Sequence, residues 1–220
     1  MIETIVLDLG GVLMEHDIQA CVKRFQQLLG ANFAKLGLGD DGEPTDVEMP
    51  IMRDYETGYA NTDDFVKALL PLSKEGTTRQ DILDVWNMML LGIPAERLER
   101  VLRLKQHYPV FLLSNNSEEH WRFCVEKFFS SPDCDSETVL HRYFDEVFLS
   151  QEMHLSKPDP RIFEQADARI EVQLDRPEHP YNKAHTIFVD DLPANRAAAQ
   201  AYGWQTCSSL DELETKLYNN

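Results

Sequence analysis

Hydrophobic and polar positions change period several times along the chain. Thr4-Ile5-Val6-Leu7 is a short apolar, β-branched run that ends in Asp8 and then Gly10-Gly11. Such a run, closed by glycines, predicts a strand buried on both faces, as in parallel sheets. From Asp17 the period lengthens. Ile18, Cys21, Val22, Phe25, Leu28 and Leu29 recur at helical spacing and make one stripe. Asp17 is its expected N-cap and Gly30 its expected stop. The Gly, Asp and Pro residues from Gly37 to Pro50 predict a loop. Helices are then expected at Met52 to Glu56, Thr62 to Leu70 and Thr77 to Leu91, with Thr62-Asp63-Asp64 and Thr77-Thr78 satisfying free first-turn amides. No strand pattern interrupts this helical block.

Beyond it, strand and helix patterns alternate. A helix opens at Pro94, Pro109 to Leu113 is a buried strand, and Ser117 to Phe129 is helical. Val147 to Leu149 and Thr186 to Val189 read as strands, with a helix from Asp159 to Ile170 between them. A helix from Pro193 to Tyr202, a strand at Trp204 to Cys207 and a helix from Leu210 to Leu217 complete the series. Alternation of this kind predicts an α/β fold, a parallel sheet with right-handed crossovers and helices on both faces.

The 220 residues suit one domain, or one domain with an inserted subdomain. Lys plus Arg number 21 against 38 Asp plus Glu, a formal net charge of −17. That surface repels phosphate backbones, which argues against nucleic-acid binding, and attracts divalent cations. No apolar run approaches the roughly 18 residues that cross a bilayer, so no membrane partner is expected. Met1-Ile2-Glu3-Thr4 has neither a basic stretch nor a long apolar one. Cys21, Cys124, Cys134 and Cys207 are scattered, and the seven histidines form no zinc-binding pattern. A reduced, cytoplasmic protein is expected.

In open parallel sheets, ligands bind beyond the carboxyl ends of the strands. The runs there end in Asp8, in Ser114-Asn115 and in Asp190-Asp191, with Lys157 in the loop Ser156-Lys157-Pro158-Asp159-Pro160. Each feature alone is most often turn or cap chemistry. Their ordered recurrence at strand ends is what points to a site. Asp8, Asp190, Asp191 and Lys157 together carry a charge of −2, which one Mg²⁺ would neutralise. Hard oxygen donors suit that ion, which bridges readily to phosphate. A carboxylate is then a competent nucleophile toward phosphorus. Ser114, Asn115 and Lys157 offer donors for phosphoryl oxygens.

The ordered set resembles the haloacid dehalogenase-like hydrolase superfamily, most of whose members are Mg²⁺-dependent phosphatases. The resemblance rests on Ile5-Val6-Leu7-Asp8-Leu9-Gly10-Gly11-Val12-Leu13, Leu112-Leu113-Ser114-Asn115, Ser156-Lys157-Pro158-Asp159-Pro160 and Ile187-Phe188-Val189-Asp190-Asp191, with Asn195 and Gly203. The stretch from Tyr55 to Phe65 is similar to the caps of bacterial sugar-phosphate phosphatases, including those acting on α-D-glucose 1-phosphate. The resemblance implies a Rossmann-like core over residues 1–15 and 88–220 and an inserted helical cap over 16–87. It implies that Asp8 is the nucleophile, that Asp8, the Gly10 carbonyl, Asp190 and Asp191 hold Mg²⁺, and that Ser114, Asn115 and Lys157 contact the phosphoryl group. Asn195 would support the metal ligands. The substrate expected is a small phosphorylated metabolite, a sugar phosphate; oligomeric state stays open.

One position departs from the pattern. Two residues after the nucleophile the superfamily's phosphatases normally carry a second Asp, which moves the proton of the leaving group; here it is Gly10. General acid–base help is typically worth about 10²–10⁴ in rate. Glu15, His16 and Asp17 follow closely enough to replace it, although Asp17 is expected to cap its helix and His16 to be solvated. A sugar-phosphate phosphatase subgroup that resembles this chain also has Gly there. The alternatives are a metal-independent haloacid dehalogenase, or a weakly catalytic binding or regulatory member of the same fold.

Overall fold

The computed structural model describes residues 1–39, 50–129 and 136–218. In chain order its first elements are β1 (Thr4–Leu7), β2 (Glu15–His16), α1 (Ile18–Leu29), α2 (Pro50–Glu56), α3 (Thr62–Leu69), α4 (Arg79–Asn87) and β3 (Leu90–Gly92). Next come α5 (Ala95–Lys105), β4 (Val110–Ser114), α6 (Glu118–Cys124), α7 (Ser136–Tyr143), β5 (Glu146–Leu149) and α8 (Ser150–Met153). The chain ends with α9 (Pro160–Leu174), β6 (Thr186–Val189), α10 (Pro193–Tyr202), β7 (Gln205–Cys207) and α11 (Leu210–Tyr218).

Five strands form one parallel sheet in the order β5-β4-β1-β6-β7. The apolar runs are continuous because both faces are covered, and alternate residues serve opposite faces. Ile5, Leu7, Val110, Leu112, Ile187 and Val189 pack with Val101, Leu104 and Leu213 of α5 and α11. Val6, Phe111, Leu113, Phe148 and Phe188 meet Ile162, Phe163, Ala166 and Ala199 of α9 and α10 on the other side. The α/β architecture expected from the sequence is the one observed.

Helices α1 to α4 surround an apolar cluster of their own, with Phe25, Tyr55, Phe65, Leu69, Ile82 and Trp86 at its centre. Asp17 caps α1 by accepting from the Ala20 amide at 2.9 Å. Helices α3 and α4 begin with reciprocal side-chain caps, Asn61 with Asp64 and Thr78 with Asp81. Helix α3 thus starts at Thr62 as expected, with Asn61 as its cap, while α4 starts at Arg79 with Thr78 as its cap, later than the expected Thr77.

Several expected elements are corrected. The helix expected to run to Leu91 stops at Asn87, and Leu90–Gly92 pairs antiparallel with Glu15–His16. Two short strands therefore flank the helical block where none was expected. Helix α6 gives way to a π-helical turn at Val125–Phe129, and α9 continues past Ile170 to Leu174. Helices α7 and α8 had no counterpart in the sequence reading. Most of the expected Gly37–Pro50 loop, with Met49, and Cys134 lie outside the described residues. No helix among the described residues is long and apolar enough to cross a membrane.

Candidate active site

Sheet register gathers the chemistry. Leu7 of the central strand pairs with Leu112 on one side and Val189 on the other. Asp8 therefore leaves β1 level with Asp190 leaving β6, and Ser114 closes β4 beside them. The Asp8 amide donates to the Val189 carbonyl at 2.8 Å, extending the ladder by one residue and fixing where the carboxylate emerges.

Lys157 enters from the loop after α8 and is buried. Its Nζ stands 2.8 Å from Asp8 Oδ1, 2.8 Å from Asp190 Oδ2 and 3.0 Å from the Leu113 carbonyl. The loop is clamped by Asn115, whose Oδ1 accepts from the Lys157 amide at 2.8 Å and whose Nδ2 donates to the Lys157 carbonyl at 2.9 Å. The Asn115 amide thus aims the lysine. Ser114 is buried, with Oγ 3.2 Å from the Asn115 carbonyl. Asp190 also accepts from the Leu192 amide at 2.9 Å and from Asn195 Nδ2 at 3.1 and 3.0 Å. Arg196 donates to the carbonyls of Asp190 and Asp191, both at 2.7 Å, and so fixes the turn that carries the pair.

One oxygen from each of Asp8, Asp190 and Asp191 lies within 4.8 Å of the others. Burial, with Asp190 adding to it and Lys157 opposing it, pushes the Asp8 carboxyl up to about 7 from its ordinary 3.8. Burial lowers the Lys157 pKa, but Asp8 and Asp190 outweigh it and the net shift is upward. One ammonium among three carboxylates leaves negative charge uncompensated. The all-oxygen donor set and that excess charge fit a hard divalent cation.

Every residue expected at the site is therefore at the same sheet edge: Asp8, Gly10, Ser114, Asn115, Lys157, Asp190 and Asp191. Gly11 borders it as well, since a Cβ at this position would lie 2.2 Å from Asp191 Oδ2. Glu15, His16 and Asp17 separate in role. Glu15 faces Arg97 at 3.4 Å and Asp17 caps α1, while the His16 ring lies beside Gly10.

A cavity of about 220 Å³ opens next to Asn115. Its walls come from α1 and α4 (Cys21, Phe25, Trp86) and from the start of α6 (Asn116, Ser117, His120), with Glu56 at the end of α2. Burial raises the Glu56 carboxyl pKa. Burial also drives His120 down to about 4, against the Trp86 carbonyl and Glu119, so the ring is neutral. Its Nε2 is 2.9 Å from the Trp86 carbonyl and its face stacks on the Trp86 indole. Sequence reasoning did not single out Glu56, Trp86, Asn116, Ser117 or His120. Helical spacing gave no signal for residues meeting across two packed elements.

A model of the haloacid dehalogenase-like hydrolase family matches residues 2–203. The chain belongs to the haloacid dehalogenase-like hydrolases. A D-ribitol-5-phosphate phosphatase from Bacteroides thetaiotaomicron is 30% identical over 209 residues, covering 94% of this chain and 91% of that one. A haloacid dehalogenase family enzyme from the same organism, solved with magnesium and inorganic phosphate, superposes with a TM-score of 0.75 at 28% identity, covering 94% of each chain. A haloacid dehalogenase-like hydrolase from Porphyromonas gingivalis has a TM-score of 0.75 at 26% identity, covering 99% of this chain and 98% of that one. As a member of this family the protein is a hydrolase.

Proposed function

We propose that this hydrolase is a Mg²⁺-dependent phosphomonoesterase that acts through an aspartyl-phosphate on Asp8, with a small sugar phosphate as substrate. The observation that carries the reading is Lys157 bridging Asp8 and Asp190 beside Asp191, at the carboxyl edge of the central strand. Asp8, Asp190, Asp191 and the Gly10 carbonyl would hold the ion. Bound there, Mg²⁺ supplies positive charge that admits a phosphate dianion and makes its phosphorus more electrophilic.

The chain's own residues divide the remaining work. Asp8 Oδ attacks phosphorus, the bond to the ester oxygen breaks, and water later attacks the same phosphorus to regenerate the carboxylate. Lys157 and Ser114 hold phosphoryl charge, Asn115 keeps the lysine loop in place, and Asn195 orients Asp190. Residues 16–87 serve as a cap over the core formed by 1–15 and 88–220, covering the sheet edge that carries Asp8 and limiting the substrate to a small metabolite. The relative named for D-ribitol 5-phosphate and the neighbour holding magnesium and phosphate support this substrate class and metal. A metal-independent dehalogenase is disfavoured by the Asp190-Asp191 pair, because adjacent carboxylates beside Asp8 call for a cation. The buried thiols of Cys21, Cys124 and Cys207 suit a reducing compartment such as the cytoplasm.

The test is hydrolysis of a panel of sugar phosphates and p-nitrophenyl phosphate, with Mg²⁺ and with chelator, by wild type and Asp8→Asn. Turnover that requires Mg²⁺ and vanishes in a folded Asp8→Asn variant is expected. Metal-independent turnover, or full activity in the variant, contradicts the reading.

A further inference from the structure

The inference here rests on the phosphatase reading and deepens it. When an alkyl phosphate is cleaved, the departing oxygen needs a proton, and a positioned donor is typically worth about 10²–10⁴ in rate. Few groups around Asp8 are free to supply one. Lys157 is buried and held at 2.8 Å by both Asp8 and Asp190. His120 is buried with Nε2 against the Trp86 carbonyl. Glu15 is drawn to Arg97 and Asp17 to the first turn of α1. Glu56 lines a cavity whose walls include Asn115 but neither Asp8 nor Gly10. Position 10 has no side chain at all.

His16 is what remains. A Cβ built on Gly10 would find His16 Nδ1 as its nearest neighbour, at 3.8 Å. Gly10 stands between Leu9, which follows the nucleophile, and Gly11, whose own Cβ position runs into the Asp191 carboxylate. The imidazole therefore lies beside the loop that leads from Asp8 to the Gly11 turn, the turn that passes Asp191. Its backbone is pinned on both sides. His16 pairs with Leu90 in the β2–β3 ladder, and the Asp17 amide donates to the Met89 carbonyl at 2.8 Å. The ring itself is exposed and makes no hydrogen bond among the described residues. A short ladder that holds this backbone beside that loop while leaving the ring unengaged presents a proton carrier to a substrate.

We infer that His16 is a further catalytic residue, the acid that protonates the leaving-group oxygen and the base that activates water. In the first half-reaction, Asp8 Oδ bonds to phosphorus, the phosphorus–ester oxygen bond breaks, and that oxygen takes the proton from the His16 ring to depart as an alcohol. In the second, water gives a proton back to the ring and its oxygen bonds to phosphorus. The acyl–phosphate bond breaks, releasing inorganic phosphate and the Asp8 carboxylate. Gly10 leaves room for this arrangement, since no other heavy atom lies within 4 Å of the built Cβ.

Leaving-group dependence is the readout. Wild type, His16→Ala, Glu56→Gln and the double variant Gly10→Asp/His16→Ala are assayed with Mg²⁺. The substrates are p-nitrophenyl phosphate, whose leaving group needs no proton, and the sugar phosphate of the panel that wild type hydrolyses fastest. His16→Ala is expected to lose about 10²-fold or more in kcat on the sugar phosphate and under fivefold on p-nitrophenyl phosphate. The carboxyl introduced at position 10 should then recover at least tenfold of the lost sugar-phosphate rate. Equal losses on both esters, no loss on either, or the leaving-group split appearing in Glu56→Gln instead would overturn the assignment. Asp8→Asn losing both substrates while His16→Ala shows no split would sink this inference and leave the phosphatase reading standing. Wild type inactive on both would sink the reading and the inference together.

Discussion

Gly11 sits at φ +72°, and any side chain there would press into the Asp191 carboxylate. The backbone passes this close because the turn after β1 must return along the acidic edge of β6. Gly11→Ala is expected to displace Asp191 and, since a misplacement near 1 Å can cost roughly 10²-fold, to lower kcat by about that factor while the protein stays folded. Circular dichroism beside the rate measurement checks both halves. His120 makes a second prediction at this scale. Its folded pKa of about 4 lies below the ordinary 6.5, so the unfolded chain binds the proton first as pH falls. The stability due to its neutral burial is complete above 6.5 and is lost progressively down to about 4. His120→Gln should flatten that limb of a urea-unfolding series, and an unchanged slope between wild type and variant would contradict it. Asp8 and Asp190-Asp191 were legible in the sequence because a strand's end marks its own position, and Lys157 because its Ser156-Lys157-Pro158-Asp159-Pro160 loop precedes a helix. His16 was legible only as one of three neighbouring candidates and His120 not at all, because their roles depend on which element the fold lays against them.

Elements too short to show a period escaped the sequence reading. The two residues of β2 and three of β3 have no alternation to detect, and the helical pattern ran through Met88 and Met89 to Leu91 without a visible break. The ladder they form is nonetheless what fixes His16. The turn after α2 shows the same dependence on tertiary context. Gly58 has φ +72°, and its Cβ would lie 1.9 Å from the Gln151 carbonyl oxygen of α8. Nearby, Ser150 Oγ donates to the Glu56 carbonyl at 2.6 Å and accepts from the Asn116 amide at 2.8 Å. The helical block is thus seated against the edge that carries Asn115. Gly58→Ala should destabilise the protein by roughly 1–3 kcal/mol, the usual penalty for a strained backbone position, and raise KM more than it lowers kcat. Thermal unfolding and steady-state kinetics report the two effects; a neutral substitution would mean the turn does not bear on the seat.

For the whole molecule, alternating strand and helix patterns made the parallel sheet legible, and the sheet in turn explains why four distant segments of sequence meet. Strand order was not legible, since periodicity says nothing of which neighbour a strand chooses. Charge acts at this scale too. With a net charge of −17, one ammonium among three clustered carboxylates and Asp8 pushed up to about 7, the acidic edge is under repulsion that a divalent cation relieves. Binding to the folded state alone contributes about 2.7 kcal/mol at a hundredfold excess over Kd. Millimolar Mg²⁺ should therefore raise the Tm of wild type, and Asp190→Asn should abolish the rise whatever its own starting Tm. An equal rise in both would place the ion elsewhere.

The central claim is that Asp8 carries the phosphoryl group during turnover. Quenching the protein with acid during Mg²⁺-dependent hydrolysis, reducing it with borohydride and sequencing the peptides by mass spectrometry tests it most directly. An acyl phosphate on Asp8 is reduced to homoserine at that position, in wild type and not in a chelated control. Full phosphate release with Asp8 recovered as unmodified aspartate, or with the label on another side chain, would contradict the account.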